Sequence, residues 1–145
     1  MTSKVFFDTN VLLYAFARKA GSPLDLRTDK AEEIMGHGGV LSVQVLNEFS
    51  DVASRKSKLS WEEIAELLRI VEALCGRALP ITAEIHEAAV DISKLHGFRI
   101  YDSLILAAAV QAGCTTVYTE DLQHGQVING VRIENPFLGT SISGA

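Results

Sequence analysis

Short apolar runs alternate along this chain with longer stretches of helical periodicity, and that alternation constrains the fold more than any other feature. Val5-Phe6-Phe7, Val40-Leu41-Ser42, Thr116-Val117-Tyr118-Thr119 and Val131-Arg132-Ile133 read as short buried strands. Helices are expected from Asn10 to Ala17, from Thr28 or Asp29 to near Gly36, from Val43 to Ser54, from Ser60 onward, from Thr82 to Gly97 and from Asp102 to Ala112. Ser60 with Glu63 forms a capping box, while Thr82 and Gly97 mark the two ends of the following helix. Trp61, Ile64, Leu68, Val71 and Cys75 share one stripe and read as the core of a helix hairpin, and Ile85, Ala88, Ala89, Ile92 and Leu95 as the apolar face of the next helix. Strands alternating with helices imply a mainly parallel central sheet flanked by helices, so the expected class is α/β. No repeat or long linker divides the 145 residues, so 1–145 is expected to be one domain.

No apolar run approaches the ~18 residues of a membrane span. The stretch at Val5–Phe7, interrupted by Asp8, is too short for a secretory core. A cytoplasmic protein without membrane association is therefore expected. Cys75 and Cys114 stand far apart with no CxxC pattern, which fits small core residues better than a disulfide or a zinc site. With 13 basic and 18 acidic residues the net charge is −5. Proteins that hold nucleic acid chiefly by neutralising phosphates are usually basic, so composition alone points to an enzyme. The mean hydropathy of +0.19 is high for a small monomer and suggests an apolar patch used in association.

Four acids interrupt these patterns. Asp8 ends the first strand in VFFDTNVLLY (residues 5–14); it fits a helix N-cap, and it also stands where α/β proteins build their sites. Glu48, three residues after Val45 and four before Val52, falls on the buried stripe of its helix, whereas Asp51 fits a solvated face. Asp102 shares a stripe with Phe98, Ile105, Leu106 and Ala109. It is either a cap or a carboxylate turned toward a packed interior, which is costly unless paired, protonated or metal-bound. Asp121 follows its strand as Asp8 follows the first, in a segment that also reads as a turn. If the four converge, like-charge repulsion drives some of them neutral unless a cation is present. His37, His86, His96 and His124 show no metal spacing. An all-oxygen donor set of this kind suits Mg²⁺ or Mn²⁺ rather than zinc.

FFDTNVLLY, the Glu48 of VLNEF, IYDSLILAAA (residues 100–109) and TEDLQHG (residues 119–125), in that order and with the ending VRIENPF (residues 131–137), resemble the acidic motifs of PIN-domain nucleases. The resemblance is closest to VapC-type toxins of bacterial type II toxin–antitoxin pairs. It implies a single PIN-like domain acting as a magnesium-dependent endoribonuclease, with Mn²⁺ as a substitute ion. Asp8, Glu48, Asp102 and Asp121 would hold the metal, Asp8 and Asp102 as the principal ligands. Asn10 and Thr119 match polar positions beside the acids, and Glu120 is an extra acid of less definite role. The resemblance further implies hydrolysis of RNA phosphodiester bonds by metal-activated water, leaving a 3′-hydroxyl and a 5′-phosphate. A cognate antitoxin protein and a homodimer complete what it implies.

An acidic nuclease needs a local basic surface. Arg18 ends the helix that starts beside Asp8, and Arg99 lies one turn before Asp102. Arg55 lies two turns beyond Glu48, roughly 10 Å along the same helix. The three are candidate RNA contacts, although cations near helix ends are also favourable without any ligand. A phosphotransferase of the haloacid-dehalogenase type requires a second Asp where Asn10 stands, and a response-regulator receiver requires a late lysine where none follows Lys94. The alternative that survives is a catalytically silent PIN-like module that binds RNA or protein; the presence of all four acids counts against it.

Overall fold

Phe6 and Phe7 are fully buried in the first strand, β1 (Val5–Phe7), which runs directly into α1 (Thr9–Phe16). The structure, a computed structural model, describes residues 4–17 and 26–139. After α2 (Leu26–Gly36) come α3 (Val43–Arg55), α4 (Trp61–Cys75), α5 (Ala83–His96) and α6 (Ile100–Gln111). The chain then forms β2 (Thr116–Tyr118), β3 (Val127–Ile128) and β4 (Val131–Glu134). The sheet order is β1-β2-β4-β3, parallel throughout except for the β3–β4 hairpin. This is the expected α/β class with a mainly parallel sheet.

The helix boundaries follow local chemistry. Ser60 accepts from the Glu63 amide while Glu63 reaches back to the Ser60 amide, so the capping box is complete. The Thr82 hydroxyl accepts from the Ile85 amide, and Gly97 ends α5 in the left-handed region at φ 75°. Seven consecutive residues of α6, Ser103 to Ala109, are buried. A helix apolar all round belongs in the interior, and its alanines let it pack closely on α5, where Ser93 donates to Ser103 at 2.7 Å.

Several expectations are corrected. Trp61 is 67% exposed and contributes nothing to the core, which on α4 is made by Ile64 and Val71. It is the first residue of its helix, ahead of the turn that packs. Leu95 and Ala88 on α5 are likewise exposed. The expected strand at Val40-Leu41-Ser42 forms only single parallel bridges, Phe6 to Val40 and Ser42 to Leu79. Ser42 already serves as the N-cap of α3, so the segment turns into helix before a ladder can develop. The approach to β1 is close: a Cβ on Gly39 would collide with the Phe7 ring. α2 begins at Leu26 and takes Thr28 inside the helix as a buried residue. The β3 strand was not anticipated. Asn129 and Gly130 both have positive φ, 48° and 84°, which joins β3 to β4 by a tight hairpin turn.

The register is what assembles the site. Phe7 pairs with Tyr118, so the residues that follow, Asp8 and Thr119, leave adjacent parallel strands side by side. The Asp8 amide donates to the Tyr118 carbonyl at 3.0 Å, and the Thr119 amide to the Glu134 carbonyl at 3.0 Å. This is the carboxyl edge of a parallel sheet, where such folds place their ligands.

Candidate active site

Asp8 is the N-cap of α1 and only 4% exposed. Its Oδ1 accepts from the Thr9 amide at 2.6 Å and its Oδ2 from the Thr119 hydroxyl at 2.7 Å. Burial nevertheless pushes its pKa up from 3.8 to about 7, against the two hydrogen bonds and with help from the Asp121 and Glu48 charges. The cap reading of this residue is borne out, and the same carboxylate stands at the carboxyl edge of the sheet.

Thr119 is buried and uses its hydroxyl fully. It gives its proton to Asp8, and its oxygen accepts from Asn10 Nδ2 at 3.3 Å and from the Asp121 amide at 3.1 Å. Asn10 Nδ2 also donates to Asp121 Oδ2 at 3.1 Å. Both neighbours of that nitrogen are acceptors, which fixes the amide orientation. It leaves Asn10 Oδ1 buried with no donor among the described residues, an orphan acceptor of the kind a cation or an ordered water satisfies.

Glu48 joins the group from α3. Its Oε2 accepts from the Thr9 hydroxyl at 2.9 Å, and its Oε1 from Gln44 Nε2 at 2.7 Å. Asp102, whose side chain is 17% exposed, accepts from Arg99 Nε at 3.4 Å. That hydrogen bond holds the Arg99 pKa above its ordinary value, and the Asp102, Asp121 and Glu48 charges add to it. Arg99 therefore stands within the field of three of the four acids. The structure brings Asp8, Asn10, Thr119 and Asp121 into one hydrogen-bonded chain, with Glu48 attached through Thr9; Asp102 shares a hydrogen bond with Arg99 and, among the described residues, none with that chain.

The sequence reading overlooked Thr9 and Gln44. Gln44 precedes Glu48 by one helical turn, a spacing that marks such a pair; nothing local marks Thr9, which reaches Glu48 only through the tertiary fold. Glu120 turns to another partner, accepting from the Tyr14 hydroxyl at 2.6 Å. His124 accepts from the Asn135 amide at 3.0 Å and serves the turn. Arg55 is held by exposed Asp51 through bonds of 2.9 and 3.1 Å, which confirms Asp51 on the solvated face. Arg18 lies outside the described residues. A groove of about 580 Å³ takes in Glu48, lined on α3 also by Asn47, Asp51, Val52 and Arg55 and at the start of α6 by Arg99 and Tyr101.

Among the described residues, no three His, Cys, Asp or Glu side chains converge into a coordination cluster. A hard cation such as Mg²⁺ does not require one, since it is usually held by one or two carboxylates together with waters and substrate phosphate. The donors present, carboxylate oxygens beside the unpartnered Asn10 Oδ1 and an Asp8 whose ionisation burial resists, fit such an ion.

Comparison with curated proteins gives no match at the sequence level. Among solved structures the chain is similar to VapC20 of Mycobacterium tuberculosis, described as a sarcin-ricin loop cleaving toxin, at 20% identity and TM-score 0.62 over 81% of this chain and 90% of that one. It is similar to a chain of a toxin–antitoxin complex from Klebsiella pneumoniae at 18% identity and TM-score 0.66, covering 92% of this chain and 98% of that one. A third similarity is to VapBC2 of Rickettsia felis bound to a promoter DNA fragment, at 19% identity and TM-score 0.60 over 90% and 97% of the two chains. At these identities the likeness establishes a shared fold. The PIN-domain family model matches residues 5–128, and the chain belongs to the PIN-domain family.

Proposed function

We propose that this chain is a metal-dependent endoribonuclease and the toxin of a toxin–antitoxin pair. The observation that carries the reading is the Asp8–Thr119–Asn10–Asp121 chain at the carboxyl edge of the sheet, with Glu48 joined to it through Thr9. Asp8 and Asp102 would be the principal ligands of a divalent ion, Mg²⁺ or Mn²⁺, with Glu48 and Asp121 completing the set. Such an ion supplies the positive charge that offsets four carboxylates, activates water and steadies the phosphate in the transition state.

The chain's own residues prepare that chemistry. The Thr9 amide and the Thr119 hydroxyl hold both oxygens of Asp8, so the carboxylate cannot rotate away. With a pKa near 7, Asp8 gives up a proton when a cation takes its place. Thr9 and Gln44 fix Glu48 from opposite oxygens, and Asn10 fixes Asp121. The exposed guanidinium of Arg99, beside Asp102, would meet substrate phosphate. Arg55, farther along the groove and bound to Asp51, is a weaker candidate for the same role.

An antitoxin partner belongs to the same proposal, supported by the toxin–antitoxin assemblies among the structural neighbours; a homodimer and a cytoplasmic RNA target are added to it from the resemblance of the motifs alone. Since water is the attacking group, cleavage should leave a 3′-hydroxyl and a 5′-phosphate. It should also survive a 2′-deoxy substitution at the cut position. End-group labelling of the products tests this: 2′,3′-cyclic phosphate ends, or loss of cutting at a 2′-deoxy site, would overturn the mechanism.

A further inference from the structure

We propose that the groove between α3 and the start of α6 seats one nucleotide of single-stranded RNA beside Glu48, with its base stacked on Tyr101 and its phosphate against Arg99. This rests on the nuclease reading and specifies the form of substrate that reading takes. A single exposed tyrosine is ordinary; the position of this one is not. α6 buries seven consecutive residues from Ser103 to Ala109, yet Tyr101, two positions earlier and next to Asp102, is 53% exposed. Among the described phenylalanine, tyrosine and tryptophan side chains only Trp61 is of comparable exposure, and it does not line the groove.

The groove suits one nucleotide. Its volume of about 580 Å³ lies within the ~300–1,000 Å³ of small-ligand clefts. In a chain of net charge −5, it gathers two guanidinium groups, Arg55 and Arg99. Two carboxylates, Asp51 and Glu48, line the groove with them. Asp51 is paired with Arg55, Glu48 is held by Thr9 and Gln44, and Asp102 reaches Arg99 only through Nε at 3.4 Å. The two Nη groups of Arg99 make no hydrogen bond within the described residues, so they are free to bind phosphate oxygens.

A base already stacked in a duplex cannot lie on a side-chain ring, and the A-form major groove is too narrow to admit one. Stacking therefore selects unpaired RNA, in a strand or a loop, while leaving base identity open, because every base presents a π-face.

The test compares wild type with Y101F, Y101L and Y101A on short single-stranded RNA oligonucleotides carrying 2-aminopurine, and on the same oligonucleotides annealed to their complements. Y101A and Y101L should raise KM about 10-fold with kcat little changed and lose the fluorescence quench of the stacked base, whereas Y101F should match wild type. The annealed oligonucleotides should show no dependence on residue 101. Cleavage with one KM for all four proteins would overturn the assignment of Tyr101 and leave the nuclease reading intact. Should wild type cut no RNA, the nuclease reading fails, and a quench that still needs an aromatic ring at 101 would uphold the groove on its own. If Y101A binds RNA normally and only loosens a copurifying protein, the groove is a protein-docking surface and the RNA assignment is overturned.

Discussion

Asp8→Asn should make the protein more stable and abolish its chemistry. Folding raises the Asp8 pKa from 3.8 to about 7, so between those values the native state keeps a proton that the unfolded chain has lost. The stability tied to that proton is complete below about pH 3.8 and is lost as pH rises through 7. At about 1.4 kcal/mol per tenfold change in proton affinity, the loss has a ceiling of about 4 kcal/mol. Asparagine carries no charge to desolvate and can still accept from the Thr9 amide, but it gives up a good acceptor for the Thr119 hydroxyl. We therefore expect about half the ceiling, ~2 kcal/mol, which is about 6–8 °C in Tm for a chain of this length. Thermal melts in EDTA should show the variant and wild type close together at pH 4, with the variant rising above wild type by that margin at pH 8. Adding Mg²⁺ at pH 8 should recover stability in wild type, about 2.7 kcal/mol at 100 times Kd, and much less in the variant. Parallel pH dependence in the two proteins would refute the reasoning, because it would mean that Asp8 ionises as freely in the fold as outside it.

Other consequences follow from single contacts. Thr119→Ala removes the proton donor to Asp8 and the acceptor for Asn10; it should lower stability by about 1–3 kcal/mol in denaturant titrations and sharply reduce cleavage, with Thr119→Ser restoring both. Ser60→Ala breaks the α4 capping box far from the acids and should cost ~1 kcal/mol while leaving cleavage rates unchanged. Gly39→Ala forces a methyl group into the Phe7 ring and should cost about 1–3 kcal/mol in the same titration.

What could be read in the sequence was whatever is written locally. The β1 and β2 strands, the Ser60–Glu63 box, the Thr82 cap and the Gly97 stop depend on residues within one turn of each other, and the structure has all of them. The acids were legible because a carboxylate on an apolar stripe or at a strand end needs a reason; in the structure hydrogen bonds through Thr9, Asn10 and Thr119 link Asp8, Glu48 and Asp121, whereas Asp102 accepts from Arg99. Most of the misreadings were tertiary. Trp61 lies in phase with Ile64 and Val71, but its place at the start of α4 leaves it exposed. Val40–Ser42 has strand composition yet forms only single bridges. The β3–β4 hairpin carried a local signal, Asn129-Gly130, that was passed over. The holding of Glu48 by Thr9, 39 residues away, and the meeting of α3 with α6 at the groove leave no mark on neighbouring residues.

The measurement that bears most directly on the central claim is cleavage of end-labelled total RNA by the purified protein, with Mg²⁺ or with EDTA, beside Asp102→Asn. That substitution removes the charge at nearly constant volume from a side chain whose only hydrogen bond among the described residues is from exposed Arg99, so the fold should survive. The account predicts discrete cuts with Mg²⁺, none with EDTA, and none from a variant with an unchanged circular dichroism spectrum. Cutting that persists in EDTA, or that Asp102→Asn carries out at the wild-type rate, would contradict it.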